Sequence, residues 1–210
     1  MIGDLKPYPA MKNSGMSWFG EVPEHWVVRK LKYAVSFSGG GTPSKANAPF
    51  WNGHIPWVSP KDMHSGRITD ATDHITDEAV AASATNLVSP GAVIIVVRSG
   101  ILRRTIPIAI NEVEVALNQD MKALRPHPGL MGEYLRALVQ GNEAKLILEW
   151  TKQGATVESI EHEYLANSHV PLPPLPEQAA IVRFLDYADR RIRRYILAKQ
   201  KLIKLLDEQK

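Results

Sequence analysis

The sequence predicts an α+β fold: a mixed or antiparallel sheet carrying small helices, followed by a long C-terminal coiled-coil-type α-helix. Three observations carry this. Short β-branched segments bounded by Gly, Pro or Asn are spread over residues 55–125. The longer stretches of helical spacing come after them, in 128–150. No Gly or Pro occurs from Glu177 to Lys210. Strands first and helices after argue against a doubly wound sheet, in which the two alternate.

Residues 1–25 are polar and punctuated by Pro7, Pro9, Gly15, Gly20 and Pro23, so they read as a surface arm that Trp18, Phe19 and Trp26 anchor. A short helical patch is expected at 29–36. Residues 36–57 (SFSGGGTPSKANAPFWNGHIPW) read as a loop pinned by Phe50, Trp51 and Trp57, because consecutive glycines and interspersed prolines oppose both helix and central strand. Strands are expected at Ile55–Ser59, Ala92–Arg98, Thr105–Ile110, Val113–Leu117 and Met121–Arg125, with a helix near Asp77–Ala84. Helical spacing recurs at Pro128–Gly141 (Leu130, Tyr134, Leu135, Leu138) and Asn142–Trp150 (Leu146, Ile147, Trp150). The run VPLPPLPEQ at 170–178 reads as a polyproline II hinge, with Pro176–Glu177 as a helix start. The division that follows is an arm at 1–25, a domain at 26–170, a hinge at 171–176 and a helix at 177–210.

Along that helix, alternating steps of four and three join Ile181, Leu185, Ala188, Ile192, Tyr195, Lys199, Leu202 and Leu206. This is a heptad seam whose one polar position is Lys199. At 1.5 Å per residue the helix is about 50 Å long, too long and too charged to be one face of a compact core. The seam therefore predicts pairing with another helix.

Composition excludes several classes. The chain has 210 residues, 44% hydrophobic and 22% charged, without cysteine, so disulfides, thiolate catalysis and cysteine-held zinc or iron–sulfur sites are out. No apolar run is long enough for a membrane span, and MIGDLKPYPAMKNSG lacks a signal peptide's apolar stretch, so a cytoplasmic location is expected. Charge is segregated: residues 177–210 hold nine Lys and Arg against five Asp and Glu. Arg29, Lys30, Lys32, Lys45, Lys61 and Arg67 face only Asp62 within 29–67, and Arg98, Arg103 and Arg104 face no acid within 98–104. Such patterning suits a polyanion-binding face, and it is also compatible with ordinary scatter.

No motif points to catalysis. SGGGTPSK lacks the phosphate-loop spacing, and Gly-x-Gly-x-x-Gly is absent. Asn47-Ala48-Pro49-Phe50 is similar to the Asn-Pro-Pro-aromatic motif of amino-methyltransferases, with alanine in place of the first proline and no glycine-rich cofactor loop before it. The histidines lack metal-ligand spacing, so no metal site is expected. Binding is better supported. Arg98, Ser99, Arg103 and Arg104 follow the strongest strand, and guanidinium forks suit phosphate and guanine. The loop with Thr42, Ser44 and Lys45 adjoins three glycines that allow close backbone approach to a phosphate, and Ser59 and Lys61 follow another strand end. Gln119 and Lys152 complete the candidate DNA-binding set.

One ordered set of motifs resembles a known family. Trp18-Phe19-Gly20-Glu21-Val22-Pro23-Glu24-His25-Trp26, Gly40-Gly41-Thr42-Pro43-Ser44, Ile55-Pro56-Trp57-Val58-Ser59, Gly91-Ala92-Val93-Ile94-Ile95, Asn118-Gln119 and Pro171 to Gln178 (PLPPLPEQ) are similar to the specificity subunit of type I restriction-modification enzymes. Members of that family usually carry two target recognition domains, each followed by a long helix, and the two helices pair antiparallel. This chain resembles one such unit, either a fragment or a half-length subunit that pairs with a second copy. The resemblance implies that residues 17–170 read one part of a bipartite sequence in double-stranded DNA. The helix would set the spacing and dock methyltransferase subunits, which an endonuclease subunit can join. S-adenosylmethionine, ATP and Mg would then belong to those partners, with no cofactor and no catalysis in this chain. On the residues alone two other readings stay open: a coiled-coil adaptor acting through its basic helix, and a methyltransferase-like enzyme.

Overall fold

The structure, a computed structural model, describes residues 7–152 and 157–208. The chain opens with a hairpin of β1 (Met11–Asn13) and β2 (Glu21–Pro23), whose loop drives Met16 and Trp18 into the core while Val22 is fully buried. Residues 7–25 are thus built into the domain more deeply than a surface arm. The helical patch expected at 29–36 does not form. Val27 and Val28, both β-branched, begin β3 (Val27–Lys30), Leu31–Tyr33 makes a single 3-10 turn, and β4 (Val35–Gly39) follows at once.

The expected loop at 36–57 is likewise interrupted by strands at both ends. β5 (Trp51–Val58) starts inside it and absorbs the Asn52-Gly53 turn signal as a bulge. Asn52 takes a left-handed φ of 60°, and a Cβ on Gly53 would lie 2.2 Å from the Ile75 carbonyl oxygen. β6 (Arg67–Ile68), β7 (Asp73–Ile75) and α1 (Asp77–Ala81) come next. The Thr76 hydroxyl accepts from Ala79 N to cap α1, which ends three residues short of the expected Ala84.

β8 (Leu87–Val88), β9 (Val93–Val96), β10 (Ile108–Asn111), β11 (Val115–Leu117) and β12 (Met121–Pro126) then complete two sheets. One has the order β4-β12-β9-β10-β6 and the other β7-β5-β11-β8, each antiparallel except for one parallel pair. β9 is apolar at every position because both of its faces are covered. Val93 and Ile95 meet α2 (Gly132–Gly141) and α3 (Glu143–Trp150) through Leu135, Leu138, Leu146 and Trp150. Ile94 and Val96 meet the second sheet at Val58, Val115 and Leu117. The outer face of that second sheet packs Ile55, Trp57 and Ala116 against Phe50, Ile75 and Ala79.

After α4 (His162–Asn167), the proline run does not form a free hinge. His169–Leu172 is β13, paired antiparallel to β3 with Pro171 opposite Val28. Extended and polyproline II backbones are neighbours in φ/ψ space, and this two-stranded ribbon tolerates a proline without a donor. The Tyr134 hydroxyl donates to Pro171 O at 3.0 Å, and burial pushes that phenol well above its ordinary pKa.

The final helix, α5 (Leu175–Glu208), starts two residues earlier than the expected Glu177, because Pro174 O already accepts from Glu177 N and Gln178 N. Its 34 residues confirm one long helix after the α+β domain. Two side chains in its first turn fix its root. Gln178 is 0% exposed, accepts from Met131 N at 2.8 Å, and donates to Gly129 O and Pro173 O, both at 2.8 Å. Glu177 accepts from Tyr8 Oη at 3.0 Å and Trp26 Nε1 at 2.9 Å and pairs with His25 Nε2 at 2.7 Å. Burial opposes its ionisation, but these three partners outweigh that and hold the carboxyl below its ordinary pKa. Ile181 and Val182 still pack on the core, whereas every described side chain beyond Ala188 is exposed.

Replacing Gln178 with Leu orphans the buried Pro173 carbonyl and two part-buried groups, the Met131 N–H and the Gly129 carbonyl. Urea unfolding of Gln178→Leu should show a loss of about 2–4 kcal/mol, given ~1–3 per orphaned group and partial relaxation. A loss below roughly 0.5 kcal/mol, the range of ordinary surface substitutions, would contradict the role assigned to this side chain.

Candidate nucleic-acid interface

The ends of β4, β5, β9 and β11 and the start of β12 converge on one edge of the domain. The turn Asn118-Gln119-Asp120 between β11 and β12 joins them. Asn118 N donates to Val58 O, and the buried Asn118 Oδ1 accepts from Asp120 N at 3.0 Å. Asp120 O accepts from Val97 N and Arg98 N, while its carboxylate holds Arg98 Nε at 2.7 Å. On the other side of the turn the Thr42 hydroxyl donates to Gln119 Oε1. The fold therefore brings Thr42, Arg98 and Gln119 together, although the first and the last are 77 positions apart in sequence.

The glycines preceding Thr42 serve packing rather than phosphate approach. A Cβ on Gly40 would lie 2.0 Å from Asn118 O, and one on Gly41 would lie 2.9 Å from the Ala84 carbonyl carbon. Gly41 N donates to Leu117 O, and Gly41 O accepts from Trp57 Nε1. That close seating presents Ser44 and Lys45 on an exposed loop, whose far end is tied by Trp51 Nε1 donating to Ser44 O.

A second group lies beside Arg98. The Ser99 hydroxyl accepts from Ile101 N and caps the 3-10 turn Gly100–Arg103, and Ser99 N donates to Glu158 O. Arg103 Nε meets Glu158 Oε1 at 2.5 Å, and this hydrogen bond leads the interactions that hold the Glu158 carboxyl below its ordinary pKa. Bridges Arg98–Ser159 and Thr151–Ile160 draw Thr151, Ser159 and Ile160 alongside, which places exposed Lys152, next to Thr151, on the same edge. Arg104 is exposed at the end of the turn.

Ser59 and Lys61 belong to a third group with a different character. The Asp62 carboxylate accepts from Ser59 N, Ser59 Oγ, Thr72 N and Thr72 Oγ1 at 2.6–2.9 Å, so the buried Ser59 hydroxyl is committed to a capping box. Lys61 Nζ lies 2.8 Å from Asp73 Oδ2. Sequence reasoning missed the three acids that face these cations: Asp120, Glu158 and Asp73. The Asn118-Gln119-Asp120 run between two apolar strands was the available turn signal, whereas Glu158 and Asp73 reach their partners only through tertiary folding.

Other chemistry is not assembled. Phe50, the aromatic of Asn47-Ala48-Pro49-Phe50, is buried against Ile55 and Ile75 and is not free to stack on a base. Among the described residues no cluster of His, Asp and Glu could hold a metal ion, and no helix is long and apolar enough to cross a membrane.

The family described as "Type I restriction modification DNA specificity domain" matches residues 23–205. The chain belongs to this family. It is 41% identical over 152 residues to the type I restriction enzyme EcoR124I/EcoR124II specificity subunit of Escherichia coli, covering 72% of this chain and 38% of that protein. The MjaIX specificity subunit of Methanocaldococcus jannaschii is 28% identical over 173 residues, covering 81% and 39%. In fold the chain is similar to the HsdS subunit of Thermoanaerobacter tengcongensis, with a TM-score of 0.65, 21% identity and 87% and 41% of the two chains covered. The type I system S subunit of M. genitalium gives a TM-score of 0.55 at 14% identity, with 81% and 40% covered. The chain thus spans about two fifths of the length of these relatives.

The interface has a defined pH response. Burial opposes ionisation of Asp62, but its four hydrogen bonds outweigh burial and lower its pKa. A carboxyl more acidic folded than unfolded stabilises above its unfolded pKa of about 3.9 and loses that contribution as pH falls through the folded value. Melting temperature measured from pH 6 down to pH 3 should therefore fall less steeply for Asp62→Asn than for the unaltered chain. Identical slopes would contradict the assignment.

Proposed function

We propose that this chain is a non-catalytic recognition unit of a type I restriction-modification specificity subunit. Its domain reads one part of a bipartite target in double-stranded DNA, and α5 sets the distance to a second recognition unit while docking methyltransferase subunits. An endonuclease subunit joins through that assembly. S-adenosylmethionine, ATP and Mg serve the partner subunits. Family membership supports the class, and the convergence of Thr42, Gln119, Arg98, Arg103 and Lys152 on one edge supports the DNA-reading role.

The electrostatics favour selectivity over bulk affinity. Arg98 and Arg103 are each held by a carboxylate, so the edge is a mosaic of oriented ion pairs rather than a bare basic patch. Guanidinium forks fixed in this way are suited to base edges and individual phosphates, which exchange for the carboxylates on binding. With a net charge of +3 the chain lacks a large counterion-release drive, so non-specific affinity is modest and its salt dependence shallow.

The helix supports the spacing role. Ile192, Tyr195 and Leu206 are 58%, 64% and 53% exposed, an apolar stripe that marks an interaction surface. An antiparallel pair of helices about 50 Å long would hold two domains roughly one and a half turns of DNA apart, at ~34–36 Å per turn.

Replacing Arg98, Arg103 and Arg104 with Ala tests the DNA-reading role in the assembled methyltransferase complex. Each lost bidentate base contact should weaken target binding about 5- to 150-fold, from ~1–3 kcal/mol per contact. Competition between target and scrambled duplexes measures this, with the melting temperature as control. Unchanged selectivity in a folded variant removes these arginines from the interface.

A further inference from the structure

One pair of basic side chains at the candidate edge is not held by an acid. Lys122, the second residue of β12, lies directly across the ladders from Gly39 of β4 and Ile95 of β9. Its side chain therefore leaves the sheet on the same face as Ile95 and Leu124, and on that face Leu124 stands opposite Phe37. His162, which opens α4, covers both strands. Its Nδ1 is 3.1 Å from Lys122 Nζ, and its ring meets the Phe37 ring edge to face with centroids 5.1 Å apart. The segment that delivers His162 also bridges Arg98 at Ser159, so the pair sits at the same end of the sheets as Arg98.

The electrostatics of this pair are the reverse of its neighbours'. Arg98, Arg103 and Lys61 each rest on a carboxylate at 2.5–2.8 Å. Among the described residues neither Lys122 nor His162 has such a partner, and the two face each other instead. The charged groups that face His162 are Lys122 from β12 and Glu163 from its own helix, while β4 contributes the Phe37 ring. Burial pulls the half-buried Lys122 ammonium below its ordinary pKa. Burial first and the lysine charge second do the same to His162, with Glu163 opposing them. While Lys122 donates to Nδ1, the imidazole is neutral and carries its proton on Nε2.

Beside this pair the chain leaves room. A Cβ on Gly39 would meet nothing within 4 Å, in contrast to one on Gly40 or Gly41, and Gly39 does not have a left-handed φ. Neither packing nor backbone conformation requires glycine at this position. The opening is on the Lys122 face, because residues directly opposite in an antiparallel pair project to the same side. An anionic oxygen admitted there finds an ammonium and an imidazole and, among the described residues, no carboxylate already paired with either.

Resting on the DNA-reading role proposed above, we infer that Lys122, His162 and the space over Gly39 seat one phosphodiester of the DNA backbone, and that filling this seat is coupled to protonation of His162. The phosphate oxygen accepts the ammonium hydrogen that Nδ1 had accepted. Nδ1 then takes a proton from solvent and becomes a second charge-assisted donor to the same anion. Two cations that repel each other in the free chain are thereby both attracted to what lies between them. A backbone contact of this kind fixes register for the guanidiniums beside it without itself reading sequence. The phosphate charge raises the pKa of His162 on binding. Affinity is therefore greatest below the free-state value, declines as pH rises from there to the bound-state value, and levels off above it.

Binding of a mixed-sequence duplex of about 30 base pairs to the full chain, followed by fluorescence anisotropy at low salt, tests the seat. The unaltered chain should bind about three- to tenfold more tightly at pH 6 than at pH 8, the range over which one histidine titrates. His162→Gln should reduce that ratio by about threefold or more. Lys122→Gln should lower the slope of log K against log salt by about 0.9, the share of one phosphate. Gly39→Val should keep its melting temperature, since there is room for the side chain, yet lose about fivefold or more in affinity together with the pH ratio. Arg98→Ala, outside the seat, should weaken binding and retain the pH ratio. An identical pH ratio in His162→Gln, or unchanged binding by Gly39→Val, overturns the seat and leaves the DNA-reading role standing. His162 ring resonances that shift with ~10 mM inorganic phosphate but not with duplex mark a site for free phosphate and overturn the DNA assignment. No binding of duplex at ~100 µM chain overturns both the seat and the DNA-reading role.

Discussion

Glu177 and Gln178, adjacent in the first turn of α5, hold three parts of the molecule in one arrangement. Gln178 replaces water for a donor and two carbonyls at the end of the domain, and Glu177 gathers Tyr8, His25 and Trp26 from the N-terminal segment. A helix anchored only by Ile181 and Val182 would rest on a small apolar patch and pivot. A buried amide with every hydrogen bond satisfied has one geometry, because any rotation leaves polar atoms unpaired at a cost of several kcal/mol. The direction in which the exposed seam projects is thus decided by two side chains, and the proposed spacing role depends on it.

The candidate interface follows a related logic at the other end of the sheets. Its turns are rigid because carboxylates and amides are used internally: Asp62 on four donors, Asn118 and Asp120 on the β11–β12 turn, and Glu158 on Arg103. Lys61, Arg98 and Arg103 are therefore presented in fixed orientations by neighbouring acids. This lowers the conformational entropy lost on binding while limiting attraction to any polyanion, the balance a selective reader of DNA needs.

Much of this was legible in the sequence, for identifiable reasons. β9 was plain because six apolar residues in a row, Ala92 to Val97, have no other use than a strand covered on both faces. The long helix was plain because heptad spacing and the absence of Gly and Pro agree. The stretch Ser36–Trp57 was misread because Gly40, Gly41 and Gly53 look like loop residues, whereas two of them are demanded by backbone contacts under 2.5 Å from a would-be Cβ. Those contacts are to residues about 20 and about 80 positions away. The proline run reads as a hinge in sequence because β13 needs β3 beside it, and the second half of β3, Arg29 and Lys30, falls within the patch that reads as helical. At the interface the cations were visible as charges, but their partners Asp120, Glu158 and Asp73 were not, because ion pairing across the chain leaves no periodic trace. Gln178 was hidden for the same reason: a glutamine after Pro-Glu reads as an exposed helix residue until the 129–131 turn is folded against it.

Native-state hydrogen exchange at the Met131 amide tests the central claim most directly, since that N–H donates to Gln178 Oε1. If the root of α5 is clamped as described, this amide exchanges only through global unfolding and matches the slowest amides of β9. Exchange as fast as in the exposed turns near Leu206 would mean that the root opens independently, and the fixed projection of the helix would be contradicted.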